Sequence, residues 1–259
     1  MLSRAKLLAF GAVLLLGACG AQQDRITMGE GTAPRGLRIA SAAMAGGLPQ
    51  AALNATQGVL DREPGNIEAL LQQADALTAL GRPDAAAEAY RRVMAKDVSP
   101  SRVQLRLARV GAGRVDLVMG RASEAQAIYA ALIAAAPDDP VGHNGLAIAL
   151  DQQGRHDDAQ VVYRKALTFA DTSATRSNLG LSLVMSGDTV GALELLRPLA
   201  SDTASNPRIR HNLAFALELA GDREGAQRAL AVDMPRDQVL AELVGFSAFR
   251  ATPAPAGKP

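Results

Sequence analysis

The chain has 259 residues, of which 48% are hydrophobic and 3% aromatic, and its formal net charge is +1. This balanced charge carries no basic stripe and does not predict a nucleic-acid partner. The single cysteine, Cys19, excludes an internal disulfide framework and a thiolate metal cluster. The abundance of Ala and Leu and the scarcity of aromatic residues favour helices over strands.

The N-terminal residues 1–18 have the composition of a secretory signal. Arg4 and Lys6 precede an apolar run at 7–16, which is too short to span a bilayer as a helix. The run ends in Leu16-Gly17-Ala18-Cys19, which resembles the lipobox of bacterial lipoproteins. The alternative is an ordinary signal peptide that happens to end near a cysteine.

The lipobox resemblance implies a lipid anchor on Cys19. In that family the thiol receives a diacylglyceryl group, the chain is cleaved before the cysteine, and the new amine is acylated. Gly20 follows instead of the Asp that favours inner-membrane retention, so the resemblance implies an outer-membrane lipoprotein on the periplasmic face. The polar, Gly-rich residues 19–34 predict a flexible tether.

A spaced triplet of Gly, Ala and a large residue recurs through the rest of the chain. The glycines are separated by 34, 39, 34, 33 and 34 residues, and a period near 34 indicates helix–turn–helix repeats. The six copies are Gly47-Ala52-Thr56, Gly81-Ala86-Tyr90, Gly120-Ala125-Tyr129, Gly154-Ala159-Tyr163, Gly187-Ala192-Leu196 and Gly221-Ala226-Leu230.

Each triplet predicts one pair of helices. The glycine ends the first helix at a positive φ, the alanine lies at the helix crossing, and the large residue fills the angle between the helices. Tyr129 and Tyr163 are therefore expected to be buried. Proline closes several units, and a large residue followed by Ala or Gly recurs in the first helices, as in Leu146-Ala147, Leu179-Gly180 and Leu213-Ala214.

This pattern resembles the tetratricopeptide repeat over about residues 33–240. The resemblance implies an all-α solenoid, a right-handed superhelix of about six helix–turn–helix units over 35–236. The first unit is degenerate, because Thr56 replaces the aromatic residue. In the third unit the interval is 39 and Asp116 falls where an apolar residue is expected. Either its first helix starts early, near Ser99-Pro100, or its register is shifted.

Residues 237–250 predict a final helix with no partner helix after it. Such a helix caps the last apolar face of an array; the alternative is a half-repeat that docks a partner. Residues 251–259 contain three prolines and are expected to be disordered.

The first helices of a tetratricopeptide array line a concave groove, and polar side chains recur on them here at intervals of 34 residues. Carboxamides there can grip a peptide backbone. Repeated asparagines can instead tie neighbouring helices together. The residues predicted to form a protein-binding groove are Asn144, Asn178, Asn212, Arg176, Arg208 and Arg210.

No catalytic motif, metal-ligand spacing or cofactor loop is present in the sequence, so we expect no enzyme, no metal, no cofactor and no small-molecule substrate. A lipobox followed by six repeats and a closing helix resembles the tetratricopeptide lipoprotein of the Tad (tight-adherence, Flp pilus) type, and pilotins in architecture. That resemblance implies a scaffold acting on a secretin or other pilus or secretion component. The alternative is a periplasmic scaffold for cell-wall enzymes or outer-membrane protein assembly.

Overall fold

The computed structural model describes residues 32–95, 99–201 and 206–251, and within them it contains helices and no strand. Cys19, the signal segment and the C-terminal tail after Ala251 lie outside the described residues. The thirteen helices are α1 (Thr32–Ala45), α2 (Pro49–Leu60), α3 (Ile67–Ala79), α4 (Pro83–Val93), α5 (Arg102–Val118), α6 (Ala122–Ala135), α7 (Pro140–Gln152), α8 (His156–Phe169), α9 (Ser173–Met185), α10 (Thr189–Ala200), α11 (Pro207–Leu219), α12 (Arg223–Leu230) and α13 (Arg236–Ala251).

The helices form six consecutive pairs followed by α13, which confirms the all-α repeat array. Every helix contacts the next one along the chain, and the odd-numbered helices also contact one another from α1 through α13. Within the described ranges the even-numbered helices make no such contacts with each other. The odd-numbered, first helices therefore line the inner face of the array. Its first helix begins at Thr32, three residues before the predicted boundary at 35.

The turns inside the six units share one backbone geometry. Gly154 has φ +74°, and the amide of Arg155 donates to the carbonyl of Leu150 at 3.0 Å, which closes the end of α7. The other five turn glycines also have positive φ, between 66° and 93°. A side chain at these positions would strain the left-handed backbone, which explains why glycine marks the repeat.

The predicted packing of the triplet residues is confirmed. Tyr129 and Tyr163 are 3% and 2% exposed, and the triplet alanines are fully buried. The ring of Tyr129 lies so close to Gly145 that a Cβ atom there would be 2.3 Å from its ring carbons. It approaches Gly113 nearly as closely, at 2.7 Å. Tyr129 thus fills the space between α5, α6 and α7 because both neighbours lack side chains.

The third unit begins with a longer first helix. Helix α5 has 17 residues, and Ser101 caps it through a reciprocal capping box with Gln104. Near the other end, Asp116 is fully buried and its Oδ1 accepts hydrogen bonds from Arg121 Nε at 2.9 Å and Arg91 Nη2 at 3.4 Å. A charged residue stands at this expected apolar position because two guanidinium groups accompany it.

The apolar core is divided along the array. One large cluster joins buried residues of α1–α5, and another joins α7–α13. Between them lies a small cluster of five buried residues centred on Tyr129 of α6. The partly buried Leu146 and Ile148 of α7 pack against both the small cluster and the second large one.

The final helix, α13, packs against α11 and α12 through one face. Val239, Leu243 and Phe246 are buried there, as a capping helix requires. Leu240 and Val244 lie on the opposite face and are 46% and 64% exposed. The helix begins one residue before the predicted boundary and ends one residue after it.

Candidate protein-binding groove

A groove of about 660 Å³ lies on the inner face of the array, and we refer to it as the inner groove. Its walls come from the first helices of four successive units, α5, α7, α9 and α11, together with Tyr129 of α6. These helices lie side by side because each contacts the next first helix. The inner groove therefore crosses the array at units three to six.

The lining of the inner groove includes exposed apolar side chains. Val118 at the end of α5 and Val141 at the start of α7 are 79% and 38% exposed, and Ile148 on α7 is half-buried. Tyr129 forms part of the floor, and burial raises the pKa of its phenol to about 12, although the charge of Arg114 opposes the shift. The floor is thus neutral and the wall offers apolar contact area.

Side-chain amides link the successive first helices. Gln152 donates to the Leu117 carbonyl at 3.0 Å, and Asn178 Nδ2 donates to Asn144 Oδ1 at 3.1 Å. Asn144 and Asn178 both line the inner groove and remain partly exposed. Their other amide atoms, Asn144 Nδ2 and Asn178 Oδ1, have no partner within the described residues. These two atoms are available to a bound peptide backbone.

Asn212 differs from the other two asparagines in position. It is 4% exposed, and its Nδ2 donates to Ser177 Oγ on α9 at 2.9 Å. It does not line the inner groove. The structure therefore places Asn212 in the contact between α9 and α11. There it ties the two helices together, which is the alternative interpretation of the repeated asparagines.

Two of the three predicted arginines also lie outside the inner groove. Arg176 binds both carboxylate oxygens of Asp171, which precedes α9. Arg210 binds Asp233, which precedes α13, through bonds of 2.6 and 2.5 Å. These contacts raise the pKa of both guanidinium groups and, through the hydrogen bonds from Arg210, lower the pKa of Asp233. Local carboxylates therefore hold both arginines, and neither is among the residues that line the inner groove.

Arg208 lines the inner groove as predicted, and Arg114 lines it although the sequence analysis did not identify it. Both side chains are exposed, and neither forms an ion pair within the described residues. The structure thus brings together three of the six predicted groove residues, Asn144, Asn178 and Arg208, and adds Arg114.

A positional signal for Arg114 is present in the sequence. The residues six positions before the turn glycines of units three to six are Arg114, Ile148, Leu181 and Phe215. A cation thus replaces an apolar residue at a repeating position of the first helix. The predicted groove residues lie on the first helices of units four to six, so Arg114 in the third unit fell outside that comparison.

Across residues 32–95, 99–201 and 206–251, no cluster of His, Cys, Asp and Glu could hold a metal ion. His143, which stands where the repeat usually has a bulky residue, stacks on Phe169 at 5.3 Å and contacts the Pro137 carbonyl at 2.9 Å. Within the same ranges no helix is both long and apolar enough to cross a bilayer.

Paired helices stacked around an inner groove define a helical-repeat solenoid of the kind that holds other proteins. Models of the tetratricopeptide repeat match residues 43–110, 110–174 and 173–198 together with 207–231. The chain belongs to the tetratricopeptide-repeat family. Proteins of this family are generally non-enzymatic scaffolds that mediate protein–protein interactions.

Solved structures share the fold at low sequence identity. A tetratricopeptide repeat protein from Parabacteroides merdae is 13% identical, with a TM-score of 0.70 over 88% of this chain and 89% of that one. The pilF protein of Pseudomonas aeruginosa is 16% identical, with a TM-score of 0.63 over 85% and 97%. MamA from Desulfovibrio magneticus is 22% identical, with a TM-score of 0.57 over 65% and 93%. A comparison with curated protein sequences finds no match.

Proposed function

We propose that this chain is an outer-membrane lipoprotein scaffold that binds protein partners during assembly of a Tad or Flp-type pilus or secretion apparatus, with the secretin as its partner. The observation that carries the proposal is the leader ending in Leu16-Gly17-Ala18-Cys19, followed directly by a tetratricopeptide array. Lipid on Cys19 anchors the array to the membrane, and the inner groove takes a segment of the partner.

Several acyl chains on one cysteine account for a stable anchor, because each buried CH₂ contributes about 0.8 kcal/mol. The chain between Cys19 and Thr32 spans at most about 45 Å when extended, at 3.3–3.6 Å per residue. The array is then held close to the membrane surface, within reach of a secretin subunit that arrives there.

Cys19→Ser is expected to abolish membrane attachment. The serine hydroxyl does not replace the thiolate that accepts the diacylglyceryl group, so the variant stays unprocessed or is released in soluble form. Fractionation of the expressing cells and mass spectrometry of the mature N-terminus measure the result. A wild-type N-terminus that is unmodified, or that starts at another residue, contradicts the lipid anchor.

Site-specific crosslinking tests the partner. A photoreactive amino acid at Val141, in the inner groove, is expected to capture a secretin subunit in intact cells of a strain that carries the pilus genes. The same amino acid at Val161 is the matched control, because Val161 is 66% exposed on α8 and does not line the inner groove. Capture of a cell-wall enzyme or an outer-membrane insertion component from Val141, or equal capture from both positions, contradicts the proposal.

A further inference from the structure

The charged side chains that line the inner groove are all positive. Its lining contains two arginines, Arg114 and Arg208, and no aspartate or glutamate. Both guanidinium groups are exposed and lack an ion pair within the described residues. Asp139, at the start of α7, is bound by Arg106 through Nε at 2.5 Å. Burial alone would raise the pKa of that carboxyl, but the bonds from Arg106 and the amides of Gly142 and Val141 outweigh it and lower the pKa.

The two arginines lie at opposite sides of the inner groove. Arg114 is on α5 and Arg208 is on α11, with α7 and α9 between them. The centre between the arginines is neutral, because α7 and α9 contribute the amides of Asn144 and Asn178 and the apolar side chain of Ile148. A ligand that satisfies this lining has anionic groups near its ends and a neutral centre.

The spacing of the helices limits the length of such a ligand. Packed helices lie about 8–10 Å apart, so three steps from α5 to α11 cover about 24–30 Å. An extended peptide advances about 3.3 Å per residue, and a segment of about seven to nine residues spans that distance.

We infer that the inner groove takes a short extended peptide segment with a carboxylate near each end, one at Arg114 and one at Arg208, and a largely apolar centre. This inference rests on the proposed function and defines the segment of the partner that the groove binds. Arginine pairs well with carboxylates, since its planar fork donates two parallel hydrogen bonds. The free amide atoms of Asn144 and Asn178 bind the peptide backbone between the two charges.

A peptide fits this lining better than a nucleic acid does. Single-stranded nucleic acids bind to basic grooves whose exposed aromatic rings stack with bases. Here the aromatic ring of the lining, Tyr129, is buried at 3% exposure, while Val118 presents apolar area at 79% exposure. Apolar side chains of α7, such as Val141 and Ile148, complement a peptide's apolar centre.

Binding of two degenerate peptide libraries tests the inference. Fluorescent nine-residue peptides carry Asp or Glu at positions 1 and 9 in one library and Lys in the other, with the same neutral residues between. We expect the full-length chain in detergent to bind the acidic library at least about tenfold more tightly at low salt. Raising the salt to about 0.5 M reduces this preference, because exposed charges are screened. Equal binding of both libraries, or no binding of either, overturns the inference.

Variants assign the preference to the two arginines. Arg114→Gln and Arg208→Gln are each expected to weaken binding of the acidic library about tenfold, as the loss of a charge-assisted contact predicts. Arg114→Lys retains part of the preference. Arg164→Gln is the matched control, since Arg164 is an exposed arginine on α8 outside the groove and has no ion pair in the described residues. Melting temperatures stay unchanged because all three side chains are exposed, and an equal loss in the control contradicts the assignment.

The outcome is separable from that of the crosslinking experiment. Capture of a secretin at Val141 without an acidic preference overturns the inference and leaves the proposed function in place. An acidic preference that depends on Arg114 and Arg208, without secretin capture, supports the inference and contradicts the proposed partner.

Discussion

Tyr163→Ala is expected to lower the free energy of unfolding by about 3–5 kcal/mol, the usual effect of truncating a buried aromatic residue to alanine. Tyr163 is 2% exposed and lies in the large cluster of α7–α13, where Ala159 leaves room for its ring. Burial, and then the charge and hydrogen bond of Asp151, raise the pKa of its phenol well above its usual range, so the side chain is neutral.

Two further variants separate the ring from the hydroxyl. Tyr163→Phe keeps the ring and removes one hydrogen bond, so its cost is about 1 kcal/mol. Asp151 keeps its other partners, Ser182 Oγ at 2.7 Å and His156 Nδ1 at 2.9 Å. Val161→Ala, at a 66% exposed position on the same helix, changes stability by less than about 0.5 kcal/mol. Urea unfolding followed by circular dichroism measures all three, and similar values for Tyr163→Ala and Val161→Ala contradict the packing described here.

Arg121→Ala is expected to lower the free energy of unfolding by about 3 kcal/mol, the lower end of the range for breaking a buried ion pair. Asp116 is 1% exposed in its side chain, and Arg121 is its nearest cation at 2.9 Å. Arg91, whose Nη2 lies 3.4 Å from Asp116 Oδ1, remains in the variant and limits the loss of stability. The remaining oxygen, Asp116 Oδ2, has no hydrogen-bond partner in the described residues, so the carboxylate depends on these two arginines.

The repeat supplies a matched control for this variant. Arg155 occupies the equivalent position after its turn glycine, but it pairs with the exposed Asp158, so Arg155→Ala has an effect below about 1 kcal/mol. In the double variant with Asp116→Leu, most of the loss caused by Arg121→Ala should be recovered, because an apolar residue then fills the buried position. Equal losses for Arg121→Ala and Arg155→Ala, measured by urea unfolding, refute the role assigned to Asp116.

The sequence predicted the repeats and their packing because both have strict local requirements. A left-handed turn selects glycine, and a close helix crossing selects alanine, so residues equivalent to Gly154 and Ala159 recur in every unit. The groove was predicted less completely. The spacing of 34 residues aligns Asn212 with Asn178, yet burial depends on the neighbouring helix, and Ser177 holds Asn212 inside the array.

Charged side chains were harder to place because their partners come from other elements. Asp171 and Asp233 precede later helices, and nothing in the spacing of Arg176 and Arg210 indicates that these carboxylates hold them. Arg114 was missed for a different reason. The predicted groove was confined to the first helices of units four to six, and Arg114 belongs to the first helix of the third unit.

The width of the inner groove depends on how successive units of the array pack on one another. In a linear array each unit is stabilised by its own core and its two neighbours, so rigidity is transmitted through nearest-neighbour interfaces. The small cluster around Tyr129 has five buried apolar residues, four from the third unit and Ala149 from α7, and it lies between two much larger clusters. Arg114 on α5 belongs to the third unit and Arg208 on α11 to the sixth, so the distance between the two arginines depends on how each intervening unit packs on the next.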